Sequence, residues 1–158
     1  ILFLAPTRPL IDQQWSAFQK LTRPQYDISS ALITGETNMR VRDWKNPKII
    51  FSTPQTVTRA RGALDGIDLI FFDECHHATG NYDYVPIGAE AQRRGIAIFS
   101  FSAVPGDTQE KINVIKRNLG ITTLVNFSTR MPARFEQTIE VQMDFSLKRI
   151  DEWFLELF

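Results

Sequence analysis

The sequence holds one cysteine, Cys75, and two histidines, His76 and His77, among 158 residues. One thiol cannot form an internal disulfide, so a disulfide-stapled scaffold is excluded. No apolar run approaches the roughly 18 residues of a membrane span. No basic start followed by an apolar stretch marks a signal peptide. A reducing, soluble compartment with no membrane partner is the expectation. Excess charge is lacking too, with 18 Lys and Arg against 18 Asp and Glu. Taken whole, that balance offers nothing to a polyanion. No Gly is followed by Lys, so the phosphate-cradling loop G-x-x-x-x-G-K-[ST] is not in this sequence.

Apolar material is plentiful. The chain is 43% hydrophobic, with twelve Phe, three Trp and three Tyr. That excludes disorder and suffices for one core. Ile1 lies inside an apolar run, and the last residues, DEWFLELF, read as helix without a stop signal. The sequence therefore reads as a piece of a longer protein.

Two periods alternate along the chain. Short apolar runs predict strands at Ile1–Ala5, Ile28–Ile33, Lys48–Ser52, Ile67–Phe72 and Ile96–Phe101, with a further candidate at Thr122–Phe127. Helical patterns lie between them. After Pro6-Thr7, the residues Leu10, Ile11, Trp15, Phe18 and Leu21 share one face, with Thr7 as cap and Pro9 in the first turn. Glu36–Lys45 reads as a polar helix. Thr53-Pro54 opens a helix toward Arg61, and residues 85–94 form another. Asp107 caps a helix stopped by Gly120. Strand, loop and helix repeated in this way predict a parallel sheet covered by helices, an α/β fold. Ligands in such folds sit at the carboxyl ends of the strands. Thr7, Thr34-Gly35, Thr53-Pro54, Asp73-Glu74 and Ser102 each follow a predicted strand, so they gather along one sheet edge. After Gly120 the texture changes: Thr138–Phe145 alternates like a strand and Ser146–Phe158 is an amphipathic helix. A domain boundary is expected near Asn126, giving units 1–126 and 127–158.

The strongest chemical signal is Leu69–His77, LIFFDECHH. An apolar strand delivers two adjacent carboxylates, Asp73 and Glu74, into the crevice. Mg²⁺ prefers few carboxylates plus waters and phosphate oxygens. Phosphoryl transfer needs positioning, charge neutralisation and a group that orients the attacking water. Asp73 as metal holder and Glu74 as water base fit that demand. The plain alternative is that the pair caps the next helix. Four ligand-type residues in a row also suggest zinc, but consecutive residues cannot all surround one ion and the usual ligand spacing is absent.

DECH resembles motif II of the superfamily 2 helicases and translocases, the DEAD/DEAH group. APTRPL (Ala5–Leu10) resembles their motif Ia, the Thr34-Gly35 pair follows, STPQT (Ser52–Thr56) resembles motif Ib, and FSAVPG (Phe101–Gly106) resembles motif III. ALITGE, IIFSTPQTV, FDECHHATGNYDYV, SAVPGDTQEKI and NLGI together resemble the archaeal Hef helicases and their eukaryotic FANCM-type relatives. The resemblance covers most of residues 1–125. It implies a RecA-like three-layer α/β/α domain of the P-loop NTPase type, with a mainly parallel sheet. It implies ATP and Mg²⁺ as cofactors, with Asp73 and Glu74 at the nucleotide and metal, Glu74 activating water, and His76 linking that site to Ser102. Thr7, Arg8, Thr34, Gly35, Thr53, Pro54 and Gln55 would contact the backbone of a nucleic-acid strand. Val104 stands where motif III usually has Thr, and Cys75 where Hef typically has Ala.

The implied function is part of an ATP-dependent DNA helicase or translocase acting on branched or stalled forks in repair. A second RecA-like domain is the implied partner. The location would be cytoplasmic if archaeal and nuclear if eukaryotic. With no phosphate loop in its sequence, the 158-residue chain alone is expected neither to hydrolyse ATP nor to unwind DNA. The tail after Asn126 would begin the helical insertion between motor domains. An RNA helicase or RNA-sensing translocase is the same-class alternative. A decayed, non-catalytic nucleic-acid-binding domain is the alternative of another class; Val104 favours it and the intact Asp73-Glu74 pair opposes it. A stand-alone metal-dependent hydrolase would explain the carboxylates but none of the other motifs.

Position also changes the meaning of the neutral charge. Residues 1–62 carry a net +5, residues 63–92 a net −6, and residues 93–158 a net +1. The basic segment holds motifs Ia and Ib, where phosphates would lie, and the acidic segment holds the carboxylates for Mg²⁺.

Overall fold

The apolar runs become the strands of one five-stranded, all-parallel sheet. The computed structural model describes residues 1–22, 26, 28–37, 44–104, 106 and 108–125. In chain order the elements are β1 (Leu2–Leu4), α1 (Arg8–Thr22), β2 (Ser30–Ile33), β3 (Ile49–Ser52), α2 (Pro54–Arg59), β4 (Leu69–Asp73), a 3₁₀ turn (Cys75–His77), α3 (Tyr84–Arg94), β5 (Ala97–Phe101) and α4 (Gln109–Leu119). Residues Ile1–Leu124 group as one compact unit.

The strand order is β2-β3-β1-β4-β5. From β1 the chain passes to β2 and β3 on one side, then crosses to β4 and β5 on the other. The order thus reverses between β1 and β4, the kind of switch point at which α/β sheets open a crevice. Register levels the carboxyl ends. Ile33 and Leu4 both pair with Ser52, Leu4 also pairs with Phe72, and Phe72 pairs with Ser100.

Alternation sends successive side chains to opposite faces. Leu2, Leu4, Ile50, Ile70 and Phe72 join Tyr84, Ile87 and Ala91 of α3 and Ile115 and Leu119 of α4 in the larger core. Phe3 and Phe51 point the other way, onto Ile11, Trp15 and Phe18 of α1. Both faces of β1 and β3 are thus apolar, as a sheet covered on both sides requires. Leu4, Ile70 and Phe72 are wholly buried, each burial contributing about 1.5–3 kcal/mol.

The second face is covered unevenly. Phe3 stacks on Phe51 and Phe71 with ring centroids 5.3 and 5.9 Å apart, and Phe71 continues to Phe99 at 5.6 Å. At the end of that row Phe99 is 47% and Phe101 37% exposed. Among the described residues β5 has a strand neighbour on one side only.

Several expectations are corrected. Leu21, expected on the buried face of α1, is 77% exposed in its last turn. The cap of α4 is Thr108, whose hydroxyl accepts from the Lys111 N–H; the expected cap, Asp107, lies outside the described residues. Residues 121–125 are not a strand: they have no sheet partner, and Leu124 and Val125 stand exposed. Of the expected polar helix at 36–45, the described ends are turn and bend, and residues 38–43 lie outside the described residues. The 126/127 boundary and the Thr138–Phe145 and Ser146–Phe158 elements lie outside them as well. Gly95 and Gly120 end α3 and α4 in left-handed conformations, as helix-stop glycines do.

Candidate active site and nucleic-acid interface

The apolar strand β4 ends on Asp73, and the chain turns sharply there. Glu74 has φ 51° and ψ 50°, the left-handed region, and is the one non-glycine residue with positive φ among the described residues. Such strain is uncommon and clusters at functional sites. The same residue starts the 3₁₀ turn that carries Cys75, His76 and His77. Glu74 occupies the cap position of that turn, but its side chain makes no capping hydrogen bond. The plain capping explanation of the acidic pair is therefore not met.

Asp73 is buried at the switch point. Its Oδ1 accepts from the Glu74 N–H at 2.9 Å, and its Oδ2 from Gln14 Nε2 of α1 at 3.3 Å. Burial holds its carboxyl above the usual range; the Glu74 N–H pulls it down, and the Glu74 charge pushes it up. No basic side chain is among its partners. The buried Tyr84 hydroxyl lies 2.8 Å from the Asp73 carbonyl and 3.2 Å from the Leu4 carbonyl, joining the ends of β4 and β1.

Glu74 Oε2 meets two further groups. Ser102 Oγ, just past β5, donates to it at 3.2 Å, and His76 Nδ1 lies 3.1 Å away. His76 Nδ1 is also 2.8 Å from Ser102 Oγ. A carboxylate only accepts. If the single Ser102 proton goes to Glu74, then Ser102 must accept from a protonated His76 Nδ1. The Val104 N–H supports Ser102 Oγ at 3.3 Å, while its side chain is 60% exposed. Position 104 therefore serves this cluster through its backbone, and the missing Thr hydroxyl does not break the His76–Ser102 contact.

The expected backbone-contacting residues occupy the same sheet edge on the β2-β3-β1 side. Thr53 follows β3 as the cap residue of α2, and Pro54 begins the helix, fully buried. The Thr53 hydroxyl does not cap; it lies 2.9 Å from the Thr56 hydroxyl. Gln55 hydrogen-bonds the Tyr82 hydroxyl. Thr34 is buried after β2, and its N–H donates to Thr37 Oγ1 at 2.9 Å; Gly35 beside it is exposed, with open space where a Cβ would point. Thr7 is exposed, and its carbonyl accepts the first helical bond of α1 from Ile11. Arg8 is exposed and pairs with Glu36 and, at 3.5 Å, with Asp12.

Asp73, Glu74, His76 and Ser102 are thus brought together, and Thr7, Arg8, Thr34, Gly35, Thr53, Pro54 and Gln55 lie along the adjoining half of the edge. Gln14, Tyr82 and Tyr84 were not singled out by sequence. Gln14 lies on the helical face toward β4, a signal too common to stand out. The two tyrosines bracket Asp73 only in three dimensions. Among the described residues no cluster of three His, Cys, Asp or Glu side chains could hold a metal by itself. No helix among them is long and apolar enough to cross a membrane.

An all-parallel sheet with helices on both faces and this polar row at its carboxyl edge defines a RecA-like α/β domain. The profile of the family described as "Type III restriction enzyme, res subunit" matches residues 1–107, and the chain belongs to that family, within the superfamily 2 helicases. It is 34% identical over 151 residues to the "ATP-dependent DNA helicase mph1" of Aspergillus fumigatus, covering 90% of this chain and 13% of that protein. It is 34% identical over 154 residues to the "DEAD-box ATP-dependent DNA helicase Fancm" of Drosophila melanogaster, covering 90% of this chain and 10% of that protein. The Pyrococcus furiosus Hef helicase domain superposes with a TM-score of 0.67 at 37% identity, over 78% of this chain and 28% of that one. The chain thus spans a small part of the relatives it matches.

Proposed function

We propose that this chain forms part of the first motor domain of an ATP-dependent DNA helicase or translocase that acts on branched or stalled-fork DNA. The observation that carries the reading is the convergence of Glu74, His76 and Ser102 within 3.2 Å of one another, beside the buried Asp73. The mph1 and Fancm relatives, named as ATP-dependent DNA helicases, support DNA as the substrate.

Asp73 suits Mg²⁺. Its carboxylate is buried with only neutral donors, so a cation would relieve the charge that burial penalises. One or two carboxylates plus phosphate oxygens and waters is the donor set Mg²⁺ prefers. When bound, Mg²⁺ neutralises developing phosphate charge. Glu74, on its strained turn, orients and deprotonates the attacking water. His76 holds Glu74 and Ser102 in register across β4 and β5. The phosphates of ATP would be held by a loop outside this sequence, and a second RecA-like domain would complete the site.

Thr7, Arg8, Thr34, Gly35, Thr53, Pro54 and Gln55 contact the DNA backbone. Backbone-directed contacts of this kind position a strand without reading its bases. The test uses the whole protein that carries this chain. Its ATPase should rise with forked DNA and respond less to single-stranded DNA or duplex RNA. A stronger response to duplex RNA would replace this reading with an RNA translocase, since 2′-hydroxyl contacts separate the two. No nucleic-acid response at all would remove it.

A further inference from the structure

Between the two halves of the sheet edge runs a continuous line of rings. The His76 and His77 rings are 4.2 Å apart, and His77 stacks on Tyr82 at 5.1 Å with an interplanar angle of 30°. The Tyr82 hydroxyl donates to the Pro6 carbonyl at 3.1 Å, in the loop that leads from β1 to Thr7 and Arg8. The same hydroxyl meets the side chain of Gln55, at the start of α2. At the other end, His76 touches Ser102 and Glu74. Tyr82 packs edge-on against Tyr84 at 5.2 Å, and the hydroxyl of Tyr84 bridges β1 and β4. The line is thus fixed to the floor of the crevice.

We propose that Tyr82 is a positioning residue that couples the Glu74–His76–Ser102 cluster to the loops bearing Thr7, Arg8 and Gln55, through the His76–His77–Tyr82 ring stack. This rests on the helicase reading of both halves. A shift of His76 on closure of the carboxylate cluster moves His77, and His77 moves the ring whose hydroxyl grips Pro6 and Gln55. In binding free energy such coupling is reciprocal, so DNA on the loops and nucleotide at the carboxylate cluster change each other's affinity by the same factor. Burial and the neighbouring His76 hold the His77 pKa below its usual value. Its ring is therefore neutral at neutral pH and stacks without a charge.

The experiment measures ATPase and DNA affinity of the whole protein with a synthetic forked DNA. Tyr82→Phe keeps the ring and removes the hydroxyl. Its DNA-independent rate should stay within about twofold of wild type, while DNA stimulation falls by about tenfold, within the usual range of coupling factors. His77→Ala should do the same, and His77→Phe, which restores a stacking ring, should recover the stimulation. The histidine pair decides the matter if Tyr82→Phe does not fold. The inference is overturned if both variants keep wild-type stimulation. It is equally overturned if basal and stimulated rates fall in parallel, which marks a merely structural role. A wild-type protein without DNA-stimulated ATPase would defeat the helicase reading itself, an outcome distinct from failure of the variants.

Discussion

His76 Nδ1 sits 2.8 Å from Ser102 Oγ, a contact between residues 26 apart in sequence that fastens the turn after β4 to the exit of β5. Both also reach Glu74 Oε2. The carboxylate is thereby aimed by two groups from two strands, and its position does not depend on the strained turn alone.

Glu74→Gln keeps the shape of the side chain and removes its basicity. In the whole protein, ATP hydrolysis should fall by about 10²–10⁴-fold, the range expected for loss of a general base. ATP binding should persist. Steady-state ATPase beside nucleotide-binding titrations makes the comparison, and retained hydrolysis would mean that Glu74 is not the base.

Arg8 is the exposed cation at the start of α1, held by Glu36 and Asp12. If it meets a phosphate, Arg8→Ala should weaken DNA binding for all sequences alike. The slope of log K against log salt should lose about one unit. An unchanged slope in a salt titration by fluorescence anisotropy would remove Arg8 from the interface.

Gly88 lies where α3 crosses α4. A Cβ there would stand 2.6 Å from the Asn118 carbonyl oxygen and 2.8 Å from a Leu119 methyl. Backbone cannot yield cheaply, so Gly88→Ala should cost about 1–3 kcal/mol. Urea unfolding should show a lower midpoint with little change in slope. A midpoint at or above wild type would contradict the close approach.

Burial pushes the Cys75 thiol up to about 11 from its ordinary 9.0, with the Glu74 and Asp73 charges acting in the same direction. The folded protein therefore keeps the thiol protonated where the unfolded chain begins to ionise. That contribution to stability is complete below pH 9 and is lost as pH rises through about 11. Native Cys75 should resist iodoacetamide at pH 8 and react promptly in denaturant. Mass spectrometry of alkylated protein before and after unfolding provides the check.

The architecture was legible because each strand is a short apolar run ending in a polar pair. Periodicity found all five strands to within about two residues, and Gly95 and Gly120 marked two helix ends. DECH and the polar residues after the other strands identified the edge where Asp73, Glu74 and Ser102 meet. Local rules misled where tertiary context decided. Thr122–Val125 has strand composition but pairs with no strand of the sheet. Leu21 keeps the helical period but is exposed and joins neither core. Thr108, not singled out by sequence, caps α4. The tyrosine bridges had no local signal at all, since Tyr82 and Tyr84 act on Pro6, Leu4 and Asp73, and such pairings depend on the chain's three-dimensional path.

The uncovered end of the phenylalanine row makes concentration a variable for anyone handling the chain. An edge strand that carries Phe99 and Phe101, with a strand neighbour on one side only among the described residues, offers hydrogen-bonding groups and apolar surface side by side, the combination that recruits another strand. Crowding such edges together rewards lateral growth.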